Sequence, residues 1–151
     1  MGIFRKYFTQ NKTDISLKEH NEYYDRQSKY RTSIDEHFGY VEQLPQLYKM
    51  AREAGYKSAK MEKCIQLCKK DIDLAASLKK YFLGNDGCLP RYPSFSQLAI
   101  IYEKQGEIQK AIEICEKAIQ LGFENDGTKA GMKGRLKRLQ NKKHLYAEMG
   151  K

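Results

Sequence analysis

The stretch Tyr92-Pro93-Ser94-Phe95-Ser96-Gln97-Leu98-Ala99-Ile100-Ile101-Tyr102-Glu103-Lys104-Gln105-Gly106 decides how this chain is read. The two Pro residues, Pro90 and Pro93, hold the residues before them extended, and Ser94 is placed to cap a helix that runs to Gln105. Within that helix Phe95, Leu98, Ala99 and Tyr102 supply a large aromatic, a Leu, a small residue and a Tyr at three-or-four spacing. Gly106 makes a tight turn. From Glu107 to Leu121 the apolar residues Ile108, Ala111, Ile112, Cys115, Ala118 and Ile119 again fall on one helical face, and Gly122 ends it. Residues 92–125 thus read as one helix–turn–helix unit of repeat length.

Working toward the N-terminus, residues 57–83 hold neither Gly nor Pro. Met61, Cys64, Ile65, Cys68, Ile72, Ala75, Leu78 and Phe82 mark a long amphipathic helix. Before it, Tyr40–Ala54 predicts a helix with Leu44, Leu47, Tyr48 and Ala51 on one face, Pro45 in its first turn and Gly55 as its stop. Gly39 predicts a break. A separate helix over 16–38 starts at the capping-box pattern Ser16-Leu17-Lys18-Glu19, behind an irregular lead of residues 1–15. Its sparse apolar face is Tyr23, Tyr30, Ile34 and Phe38. Toward the C-terminus, Gly84-Asn85-Asp86-Gly87 and Asn125–Gly131 are breaker-rich, and a final helix over about 129–147 buries Met132, Leu136 and Leu139. The expectation is a single all-α domain, 1–151, of about six helices.

The segment 89–106, continued by Ala111-Ile112-Glu113-Ile114-Cys115 and Gly134-Arg135-Leu136-Lys137-Arg138-Leu139, resembles small bacterial tetratricopeptide-repeat (TPR)-like proteins, mostly of unassigned function. The resemblance covers roughly residues 89–140. A degenerate earlier repeat within 40–83 lays Leu47, Gly55, Cys64 and Leu67 on Leu98, Gly106, Cys115 and Ala118 at one constant offset. Ala51 stands at the Tyr102 position and Lys60 at that of Ala111, which implies looser packing there. The fold implied is a stack of antiparallel TPR-like helix pairs, closed by a basic capping helix. The function implied is a scaffold that binds a protein or peptide partner, and the resemblance brings no catalytic residues.

If first helices line the concave side, the groove residues are Gln46, Lys49, Arg52 and Glu53, then Gln97, Ile100, Glu103 and Lys104. Lys49 and Arg52 can receive a carboxylate; alternatively they are solvated charges paired with Glu53 or Asp35. Tyr23, Tyr24, Tyr30 and Phe38 offer an aromatic face for a partner or a homodimer, unless they pack back on the second helix.

Charge supplies the alternative. The chain carries 28 basic and 19 acidic residues, a net +9, and residues 127–151 hold +7 of it. Arg135, Arg138 and Lys142, with Lys133 and Lys137 beside them, could follow a phosphate backbone without reading sequence. Such a stripe is also what the solvated end of a helical stack looks like.

Other classes find little support. No glycine-rich phosphate loop, GxSxG or HExxH occurs. His20, His37 and His144 are far apart, His37 reads as a surface residue beside Asp35 and Glu36, and Asp71 and Asp73 point to different sides of a helix. Cys64, Cys68, Cys88 and Cys115 read as free thiols, the first pair packed mid-helix rather than holding zinc. No cofactor is expected. No apolar run approaches the roughly 18–20 residues that span a bilayer, and Met1–Phe8 is too short and too charged for a signal peptide. A cytoplasmic protein is the expectation.

Overall fold

In the computed structural model, which describes residues 13–150, five helices follow one another: α1 (Thr13–Ala54), α2 (Ala59–Asp86), α3 (Pro93–Lys104), α4 (Ile108–Leu121) and α5 (Gly131–Met149). The described residues form no strand. Of the irregular lead expected over residues 1–15, residues 1–12 lie outside the described residues, and residues 13–15 belong instead to the first turn of α1.

The main departure from the sequence reading is α1. It runs for 42 residues without a break at Gly39, and Pro45 lies in its interior rather than its first turn. Ser16 therefore falls inside the helix, not ahead of it. An interior Pro costs a helix about 3 kcal/mol and a Gly about 1 kcal/mol. The compensation is visible in the packing. Tyr30, Ile34, His37, Leu44, Leu47, Tyr48 and Ala51 form one unbroken stripe, and each touches the core or lies in it. A break at Gly39 would turn the two halves of this stripe out of register with α2. Pro45 sits on the exposed side of the helix, away from this stripe.

Turn chemistry is as local as the fold is extended. Gly55 has φ 111° and Gly106 φ 81°, left-handed values that a side chain resists. Ser58 caps α2, its Oγ accepting from the Met61 N–H at 3.1 Å and donating to the Gly55 carbonyl at 2.6 Å. α2 overruns the predicted turn and stops only at Gly87, whose N–H bonds the Leu83 carbonyl.

α1 and α2 pack as a long antiparallel hairpin, and α3 and α4 as a shorter one. The hairpins stack, α2 meeting α3, α1 meeting α3, and α2 meeting α4; α5 covers α4. The constant offset read from the sequence also relates the burial of the two hairpins. Leu44 and Phe95, Ala51 and Tyr102, Met61 and Ile112, Cys64 and Cys115, and Leu67 and Ala118 are buried pair by pair. The offset does not hold throughout: Met50, Lys57 and Lys60 are exposed where Ile101, Ile108 and Ala111 are buried. Phe95 and Phe123 stack at 5.7 Å, with Tyr92 against both, and close the core between the hairpins.

Candidate binding face and a buried polar hub

The eight predicted groove residues lie on α1 and α3, which touch one another. Gln46, Lys49, Arg52, Glu53 and Lys104 are exposed; Gln97, Ile100 and Glu103 are half-buried. Lys49 and Arg52 form no ion pair among the described residues, so the expected alternative of pairing with Glu53 or Asp35 does not occur. Arg52 instead sets its guanidinium 5.6 Å from the centre of the Tyr48 ring.

Beneath these charges the two hairpins are tied by polar groups. The Tyr48 and Tyr56 hydroxyls are 2.8 Å apart, and Gln105 Nε2 donates to the Tyr56 carbonyl at 2.6 Å. Burial and the neighbouring Tyr56 push the Tyr48 phenol up to about 12. The buried Gln97 amide lies against Tyr48, and its hydrogen bond to the phenol partly offsets that rise. Glu103 does not face solvent alone: Lys142 of α5 donates to it at 3.1 Å, and that hydrogen bond raises the Lys142 pKa.

Sequence reasoning missed the most connected polar cluster in the molecule. His37 is buried, not a surface residue, with 3% of its area exposed; Asp71 has 0%. Nδ1 of His37 lies 2.6 Å from Asp71 Oδ1, while the Ser94 hydroxyl donates to Oδ2 at 2.5 Å. The Tyr92 hydroxyl reaches Oδ1 at 3.1 Å and also the Asp71 main-chain oxygen at 2.5 Å. The Tyr92 ring stacks on the His37 imidazole at 4.4 Å. Ser94 is thus not the cap of α3; the helix starts at Pro93, where a missing N–H loses nothing, and the Ser94 hydroxyl turns to Asp71. Burial, reinforced by the Asp71 charge, pushes the Tyr92 phenol well above its usual range.

Although the cluster contains Ser, His and Asp, the carboxylate stands between the other two. A nucleophilic serine needs the imidazole as its neighbour, to take its proton. Here Ser94 and His37 both give hydrogen bonds to Asp71, so the arrangement satisfies a buried charge and pins α1, α2 and the start of α3 together. A seven-residue periodicity was its one sequence signal: His37 lies midway between Tyr30 and Leu44 on the buried stripe of α1.

The five residues of the predicted nucleic-acid stripe divide. Lys133 pairs with Glu124 at 3.3 Å, Arg135 with Asp126 at 3.0 Å, and Lys142 with Glu103. Lys137 and Arg138 form no ion pair among the described residues. Arg135 is a fastening of the loop before α5. Asp126 also accepts from the Thr128 amide and hydroxyl, and Thr128 Oγ1 in turn accepts from the Gly131 N–H at 3.2 Å. Burial alone would raise the Asp126 pKa, but the hydrogen bonds from Thr128 and Arg135 outweigh it and hold the carboxyl below its usual range.

Cys64, Cys68, Cys88 and Cys115 are free, and only Cys88 is exposed. The hydrogen bond that the Cys68 thiol donates to Cys64, with burial, pushes Cys68 up; burial pushes Cys115 up to about 11. Among the described residues no group of three or more His, Cys, Asp or Glu is placed to hold a metal. No described helix is long and apolar enough to cross a membrane. No protein-family model, no curated protein and no solved structure matches the chain.

Proposed function

We propose that this chain is a non-enzymatic, TPR-like adaptor that binds an extended protein or peptide segment along the face shared by α1 and α3. The observation that carries the reading is the burial of five residue pairs of the two hairpins at one constant offset, with a left-handed glycine at each inter-helix turn. Two equivalent units stacked side by side leave their first helices lining one surface, which is how helical repeats present side chains to a partner. On that surface Lys49 and Arg52 form no ion pair among the described residues and are suited to a segment bearing a carboxylate. The exposed Tyr23, Tyr24 and Phe38 lie apart from this surface and support association of copies.

The alternative, sequence-blind binding of nucleic acid by α5, now rests on Lys137 and Arg138. Immobilised protein, exposed to lysate with and without nuclease and analysed by mass spectrometry, separates the two. The adaptor reading expects a protein retained after nuclease treatment and lost, at least about tenfold, from the Lys49→Glu/Arg52→Glu double variant. Retention abolished by nuclease, or by Lys137→Glu/Arg138→Glu with Lys49 and Arg52 intact, overturns it. Arg135 is left untouched because its loss would loosen the Asp126 loop.

A further inference from the structure

α5 is fastened to the molecule differently from the helices before it. α2 buries ten residues and α4 five, whereas α5 buries two, Met132 and Leu139, with Leu136 half-buried beside them. No residue of the helix beyond Leu139 is buried. What apolar contact does not supply, charge does. Lys133 reaches Glu124 and Arg135 reaches Asp126, both in the loop before the helix, and Lys142 reaches Glu103 of α3. The outer two pairs are open to water, with side chains 67% and 49% exposed in the first and 38% and 30% in the last. Such pairs hold weakly and are screened by salt. Arg135 and Asp126 are 13% and 0% exposed and form the inner fastening. Among the described residues no exposed ion pair joins α1, α2, α3 and α4 to one another.

A thiol lies beneath this helix. Cys115 of α4 is fully buried, and besides burial its thiol feels the charges of Arg135, Asp126, Glu103 and Arg138, which belong to α5 or to its fastenings. Cys64 and Cys68 are as deeply buried, but they lie on α2, which α1 and α3 cover. The chain therefore carries one buried thiol under the weakly held helix and two under strongly held ones.

We infer that α5 is an electrostatic latch: it lifts from α4 as a unit while α1, α2, α3 and α4 stay folded, and ionic strength sets how often it does so. Lifting parts Arg135 from Asp126, uncovers Cys115 and strips Lys142 from Glu103. Glu103 stands on α3, in the face that also carries Lys49 and Arg52. With α5 seated, its charge is neutralised by Lys142; with α5 lifted, a free carboxylate joins that face. A segment bearing a carboxylate thus binds the seated form better, and by linkage its binding holds α5 down. This last step rests on the adaptor reading of the α1–α3 face, whereas the latch itself does not.

The test is alkylation of the purified full-length chain by iodoacetamide under native conditions, each cysteine followed by mass spectrometry. The reagent is uncharged, so salt acts on the protein alone, and no partner is needed. Cys88 should react first. Cys115 should follow far more slowly, by local unfolding of α5, yet at least about tenfold faster than Cys64 and Cys68, which wait for global unfolding. Raising NaCl from about 0.05 M to about 1 M should speed Cys115 about threefold or more and leave Cys64 and Cys68 unchanged. Arg135→Met, which keeps the apolar stem and removes the inner fastening, should speed Cys115 at least about tenfold, again without the other two. Hydrogen exchange on the same samples should show the α5 amides opening at least as often as Cys115 reacts. Three buried thiols reacting at one common rate overturn the inference, because α5 then opens only with the whole chain. A Cys115 rate indifferent to salt and to Arg135→Met overturns it too, as do α5 amides that outlast the Cys115 thiol. If circular dichroism shows Arg135→Met wholly melted, Lys142→Met, which breaks only the contact to Glu103, takes its place, with Cys115 expected to speed about threefold.

Discussion

Replacing Asp71 with Ala should be among the most damaging single changes outside the apolar core. The side chain is fully buried and takes hydrogen bonds from His37 and Ser94, each itself buried. Tyr92 is spared, because its hydroxyl keeps the main-chain oxygen of residue 71 as an acceptor. Two buried donors, not three, are therefore orphaned. At about 1–3 kcal/mol for each group left unsatisfied, the loss is about 2–6 kcal/mol. That is a large share of the roughly 5–15 kcal/mol that holds a domain of ordinary stability. Urea unfolding followed by circular dichroism reads it directly, since the midpoint shifts by the loss divided by a slope of about 1–3 kcal/mol per molar. The companion variant His37→Phe/Asp71→Leu removes donor and acceptor together and should be less destabilised than Asp71→Ala, because only the Ser94 hydroxyl is then left without its acceptor. A loss below about 1 kcal/mol for Asp71→Ala, or a double variant worse than the single one, would refute the view that this carboxylate is the anchor of the cluster.

The backbone irregularities of α1 predict gains. Pro45→Ala should stabilise by up to about 3 kcal/mol, and Gly39→Ala, where an added Cβ meets nothing within 4 Å, by about 0.5–1 kcal/mol in the same assay. Gly131→Ala should destabilise measurably, because φ is 65° and the new Cβ would lie 2.7 Å from the Glu124 carbonyl oxygen. Asp126 is held below its usual pKa, so its contribution is present above the unfolded carboxylate value near pH 3.9 and is lost as pH falls through the folded one. Acid titration of thermal stability should accordingly be shallower in Asp126→Asn. A thiol reagent should modify Cys88 quickly and Cys64, Cys68 and Cys115 only on unfolding; rapid modification of more than one thiol in the folded chain would contradict their burial.

Much of the architecture could be read from side-chain spacing. The α3–α4 hairpin followed directly from Phe95, Leu98, Ala99 and Tyr102, then Ala111 and Cys115, all of which are buried. α5 and the body of α2, from Met61 to Phe82, came from the same periodicity. The continuity of α1 was not legible, because Gly39 and Pro45 are local signals and the force that overrides them is packing against a helix more than twenty residues distant in sequence. The hub was missed for a related reason. Asp71 and His37 look like solvated polar residues until the hairpin brings them together, and only the position of His37 on the stripe betrayed its burial. The groove residues lie on the expected pair of helices, but no residue spacing warned that Glu103 would be engaged by Lys142 or that three cations of α5 would be neutralised within the chain. Ion pairs between distant segments have no periodicity to reveal them.

The single rod of α1 also has a mechanical meaning. At about 1.5 Å per residue, Tyr23 and Lys49 stand about 39 Å apart along one uninterrupted axis. A load taken up at the Tyr23 end is therefore delivered along the rod toward Lys49 and Arg52, without a flexible joint to dissipate it. Pro45, where one rung of the hydrogen-bond ladder is missing, lies between the two and is the point at which such a rod would yield first.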